Sequence, residues 1–173
     1  MLNSLYATFF KPSEIRLSTP AAIIIGLLIV FVLALNAAGA VSLGVGGFVG
    51  FTLLFLFAGV IGWYWLAASI NLLAQLFGGQ GDGRTTMQAI AQGLWPLLLT
   101  GPAIAASKWS NILGALFSVA ISIGVCVTLV LAIRRVHELD WIPAIFCLLI
   151  TFSLSFLALS GLIVWPVMIF LGM

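Results

Sequence analysis

Charge is what this sequence lacks. Its 173 residues include four acids, six lysines and arginines and one histidine, 6% charged against about 25% in soluble domains. No water-facing surface can be made from so few. Disorder is excluded as well, because disordered chains combine few apolar residues with much charge. A nucleic-acid partner is excluded by a net charge of only +2, which leaves no basic face for phosphates. His137 alone cannot build a zinc site, which takes three or four ligands, and there is no H-E-x-x-H, so neither metal nor cofactor is expected. Cys126 and Cys147 form no C-x-x-C and read as small apolar filling inside helices. What the chain has instead is apolar side chains, 64% of the total, with a mean hydropathy of +1.32. It is an all-α, polytopic integral membrane protein.

The rare charges divide the sequence. Leu17 to Gly81 is a run of 65 residues with no formal charge, followed by uncharged runs of 23 (Thr85–Ser107), 25 (Trp109–Ile133) and 33 residues (Trp141–Met173). One crossing of the hydrocarbon core takes about 20 helical residues, so the first run holds two crossings and a turn and each other run holds one. The turn falls in the glycine-rich stretch Asn36 to Gly50, since glycine weakens helix and supplies turn conformations. Five transmembrane helices are expected at about Pro20–Val41, Gly47–Phe77, Thr86–Ala106, Asn111–Arg134 and Trp141–Phe170. The last should tilt or fray at Pro166. Residues 20–173 form one domain, preceded by a tail of residues 1–19. Runs such as Ala21–Val32 are apolar on every side, which excludes the alternation of a β-barrel.

With five crossings, Lys11, Arg16, Arg84, Arg134 and Arg135 share one side and Lys108 stands alone on the other. This positive-inside bias places the N-terminus in the cytoplasm, in a bacterial inner membrane or an equivalent internal membrane. Ala38-Gly39-Ala40 mimics a signal-peptide cleavage site, but the long segment before it reads helix one as a retained anchor. In the tail, Leu2, Leu5, Tyr6 and Phe9 lie at helical spacing, which fits either an interfacial amphipathic helix or a tail packed on the bundle.

Every ionisable residue falls in a loop or at a helix end. An ion-coupled transporter needs such groups in mid-membrane. A Ser160–His137 pair lacks any G-x-S-G context, and R-R-V-H-E-L-D reads as a solvated loop. Gly78-Gly79-Gln80-Gly81-Asp82-Gly83-Arg84 is no phosphate loop, having neither the lysine nor the preceding strand. It reads as a hairpin, with Thr85-x-x-Gln88 capping helix three. Small residues at four-residue spacing (Gly46 and Gly50; Gly114, Ser118 and Ser122) suit close helix packing. That packing is within the chain by preference, or against a second copy. Pro96 and Pro102 each remove a backbone donor, so helix three should bend between Leu94 and Ala103. Neighbours should satisfy the freed carbonyls, and the concave side should be filled by apolar side chains with the Thr100 hydroxyl. A transporter would instead line a wet cavity with Gln92, Thr100, Asn71 and Gln75.

The entry Phe9-Phe10-Lys11-Pro12-Ser13-Glu14, the run of helix two into Gly78-Gly79-Gln80-Gly81, and the small-residue start of helix three leading to Leu94-Trp95-Pro96 resemble the bacterial branch of the Yip family. These are Rab-interacting multi-pass membrane proteins. The resemblance implies five helices and a cytoplasmic N-terminus. It also implies, for eukaryotic members, vesicle traffic and contact with prenylated Rab GTPases, a binding associated with a longer N-terminal region. About 19 residues precede helix one here. The expected function is a non-enzymatic scaffold or organiser acting on lipids or other integral membrane proteins. An accessory subunit of a larger complex and a small transporter are the alternatives.

Topology gives the first test. With cysteines placed at Gln80 or Ser110, an impermeant thiol reagent should reach Gln80 only from the cytoplasmic side and Ser110 only from the other. Labelling of both from one side contradicts five crossings.

Overall fold

The computed structural model describes residues 19–39, 41 and 44–170, the side chains of Thr19 and residues 162–170 excepted. The elements are α1 (Thr19–Gly39), α2 (Val45–Leu76), α3 (Gly83–Gly93), a 3₁₀ segment (Trp95–Leu99), α4 (Thr100–Ser107), α5 (Asn111–His137) and α6 (Trp141–Phe170). There is no strand among the described residues. α3, the 3₁₀ segment and α4 together form one span, so five helices are long and apolar enough to cross a membrane. The tail with its Leu2–Phe9 stripe, and Pro12, lie outside the described residues.

Helix is the form a bilayer permits, since every backbone group is satisfied within the segment. Side-chain hydroxyls inside the helices follow the same logic. Thr52, Ser118, Ser122, Thr151 and Ser155 each donate to the carbonyl four residues back, at 2.8–2.9 Å. α1 and α2 pack antiparallel, and α3 and α4 both lie against α5. α6 closes the bundle on α2 and α5, where Trp65 Nε1 donates to Ser155 Oγ at 3.2 Å.

Three features differ from the sequence reading. α5 runs on to His137, three residues past Arg134. α6 continues through Pro166 to Phe170 without interruption. The third span is not a bent helix but a helix broken by a 3₁₀ turn. Pro96 starts that turn, while Pro102 sits in the first turn of α4, where its missing N–H costs nothing. Leu97 N bonds Leu94 O at 3.0 Å, freeing the Gly93 carbonyl. Thr128 of α5 donates to that carbonyl at 2.5 Å.

Apart from Gly114, close packing uses other glycines than the spacing suggested. A Cβ on Gly26 would stand 2.7–2.9 Å from the Trp63 ring, and one on Gly93 2.9 Å from Leu129 Cδ2. Gly59 meets Val30 in the same way, and Gly114 meets Ser107 across the α4–α5 turn. Gly46 and Gly50 face no described atom within 4 Å, and Ser118 and Ser122 lie exposed on the outer face of α5. Cys147 is buried, but Cys126 is exposed, which corrects the reading of both as interior filling.

Gly26→Ala should therefore destabilise the protein by about 1–3 kcal/mol, as overpacking does. Gly46→Ala should be neutral or slightly stabilising, because alanine is the better helix former. Reversible unfolding in mixed micelles measures both. Equal effects would mean that α1 and α2 do not approach as described.

Candidate functional site

At one end of the bundle, the turn between α2 and α3 folds over the last turn of α5. Gly78, with φ 85°, ends α2 in the left-handed conformation that glycine adopts freely. Its N–H bonds Gln75 O at 3.0 Å, and the Gly79 N–H bonds Ala74 O at 2.8 Å, the paired bonds of a Schellman ending. The Gln80 N–H then reaches His137 O at 3.2 Å. His137 is 1% exposed. It is not the solvated loop residue that its charged neighbours suggested.

Gly79 and Gly81 lie flat on its ring. A Cβ on Gly79 would stand 2.8 Å from His137 Cβ, and one on Gly81 2.8 Å from Nδ1 and 2.6 Å from Val136 Cγ1. Beneath the ring, the Thr86 hydroxyl lies 2.9 Å from His137 Nε2, 2.7 Å from Asp82 O and 3.2 Å from Asn71 Oδ1. One hydroxyl proton serves one acceptor, and Asp82 O is the nearest. The network then makes His137 Nε2 the donor to Thr86 and Nδ1 a bare lone pair. Nδ1 has no hydrogen-bond partner.

Asp82, not Thr85, is the N-cap of α3. Its Oδ1 accepts from Thr85 N at 2.8 Å and also from the Thr85 hydroxyl. That hydroxyl, followed by the backbone N–H, holds the fully exposed Asp82 carboxyl below the ordinary carboxylate range. On the same end, the Arg134 guanidinium lies 3.9 Å above the Trp141 ring. Glu138 closes α5 with φ 54°, an unusual cap for a non-glycine residue.

A hydroxyl in reach of an imidazole is the geometry of an activated nucleophile. Here Thr86 is 2% exposed and the ring above it is covered by glycine backbone, so no substrate atom can approach. Ser160 and His137 are not brought together. Ser160 stands nineteen residues along α6 from Trp141, about 28 Å away from the His137 end.

The second place of interest is the break in the third span. Asn36 Nδ2 donates to Thr100 Oγ1 at 2.9 Å, and Thr100 donates to Leu97 O at 2.7 Å. Beside it, a cavity of about 560 Å³ opens between α1, α2, Leu94 and Leu97. Its lining residues are all apolar or glycine, and Gln92, Thr100, Asn71 and Gln75 are not among them. The expectation of a space filled by side chains is corrected to that extent. Trp63, one of the lining residues, keeps Nε1 buried without a partner.

Sequence reasoning missed His137 although a signal was present. Ile121, Val125, Leu129, Ile133 and His137 recur every four residues, all buried on one stripe of α5. The charges around the histidine outweighed that register.

Five apolar spans, interior polar groups bonded in pairs and a polar cap at one end define a polytopic, multi-pass membrane protein. A family model described as the Yip1 domain matches residues 7–171, nearly the whole chain, and the chain belongs to that family. No curated protein and no solved structure matches it.

Thr86→Val removes the hydroxyl and strands His137 Nε2, while Asp82 O keeps the Thr86 N–H, so it should cost about 1–3 kcal/mol of unfolding free energy. Thr86→Ser should retain most of it. The Asp82 cap carries a pH dependence of known sign. Its folded-state pKa is depressed, so its contribution is present above the ordinary carboxylate range and lost as pH falls through the lowered value. Amide exchange at Thr85 should speed up in acid beyond the intrinsic trend, and Asp82→Asn should abolish that excess.

Proposed function

We propose that this Yip1-family protein is a non-enzymatic organiser of a cytoplasm-facing membrane, oriented with its N-terminus in the cytoplasm, acting through lipids or other integral membrane proteins. The observation that carries this reading is where its polar groups go. Asn36 is bonded to Thr100, Thr128 to the freed Gly93 carbonyl, Trp65 to Ser155 and Thr86 to His137. Polar groups bonded across helices in this way hold the spans together instead of lining a path for a solute. The outer faces, by contrast, present large apolar side chains such as Phe57, Leu116, Ile123 and Phe156, a surface on which lipids and other spans can lie.

The five-to-one division of Lys and Arg supports the orientation. A homo-oligomer is compatible with the small residues exposed on α5. An accessory role in a larger complex is the second reading, favoured by the short loops between the spans.

Affinity purification of the full chain in mild detergent separates these readings. The organiser reading expects several membrane proteins or lipids at sub-stoichiometric amounts and no solute flux in proteoliposomes. One complex recovered at fixed stoichiometry selects the accessory role. Saturable flux of a solute contradicts both.

A further inference from the structure

We propose that the cavity between α1 and α2 seats one acyl chain of a phospholipid from the leaflet at the Gly39 end. Its volume of about 560 Å³ lies within the range of ligand pockets, and packed interiors leave few voids larger than one water. Water is poorly held there, because an ordered water needs two to four polar partners and the lining is almost entirely apolar. Hydrocarbon needs none.

The opening faces the right medium. Phe55, Ala58 and Gly62 line the cavity and are also exposed on the outer surface of α2. Gly62 and Ala58 place almost no side chain in the entrance.

Depth selects the occupant. α1 has 21 residues, about 31 Å, which matches the hydrocarbon core. Along it the cavity runs from Ala37, about 3 Å inside the Gly39 end, to Gly26, about 20 Å inside. One leaflet contributes about 15 Å of chain. A phospholipid whose headgroup lies at the Gly39 end therefore reaches down most of the cavity, to about the level of Ile29. Its methyl end comes to rest about one turn short of where the Trp63 ring closes on Gly26. This inference stands whether or not the protein organises membranes.

The test uses the full chain in liposomes containing phosphatidylcholine with a diazirine either at the chain terminus or beside the ester. Terminal label should give adducts around Ile29 and Val30, and ester-proximal label around Ala37 and Phe55. In Gly62→Leu, whose new side chain meets no atom at Cβ and so leaves the fold intact, a leucine occupies the entrance. Adducts at both places should fall roughly tenfold as the chain loses its contact atoms. Gly46→Leu, away from the cavity, should leave them unchanged. Adducts equal in native and Gly62→Leu protein, a reversed order of the two labels, or no cavity adducts because residues 2–9 occupy the space would each overturn the proposal.

Discussion

The contact between Thr86 and His137 fixes the level at which the two parts of the bundle meet. A bilayer provides no hydrophobic force between helices, since lipid tails are as apolar as leucine. Association must come from close packing and from the few hydrogen bonds that side chains can form. In this chain the only histidine is buried at a helix end, bonded to one threonine and roofed by Gly79 and Gly81. The α2–α3 turn is thereby held on α5, and the broken third span is aligned so that Gly93 meets Leu129 and Thr128 reaches the freed carbonyl.

From that constraint the other features follow. A proline near mid-membrane costs a backbone bond, and a threonine on the neighbouring helix repairs it. The 3₁₀ turn breaks the third span, leaving Leu94 and Leu97 as the back wall of an apolar space that α1 and α2 do not close. Most interior hydroxyls and amides are bonded within the bundle, while the outside presents many large apolar side chains.

Much of this was legible in the sequence. The near-absence of charge and four uncharged runs gave five spans, and Pro96 with Pro102 located the break between Leu94 and Ala103. The matched family agrees with the resemblance seen in Leu94-Trp95-Pro96 and the glycine turn. Less legible was which glycines pack. Gly46 and Gly50 have the favoured glycine spacing but face outward, whereas Gly26 and Gly59, neither with a glycine four residues away, accept Trp63 and Val30. Spacing defines a stripe, and only the neighbour defines which stripe is inside. Likewise the loop glycines read correctly as a turn, but what they cover lies more than fifty residues away. Asp82 won the cap from Thr85 because its carboxylate reaches the Thr85 N–H directly.

The central claim is that Gly81 is glycine because His137 lies under it. A double-mutant cycle between Gly81→Ala and His137→Ala, followed by reversible unfolding in mixed micelles, tests it most directly. Each single change should destabilise the protein. Removing the ring should relieve part of the clash, so the pair should cost less than the sum by about 0.5–3 kcal/mol. Strict additivity would contradict the account.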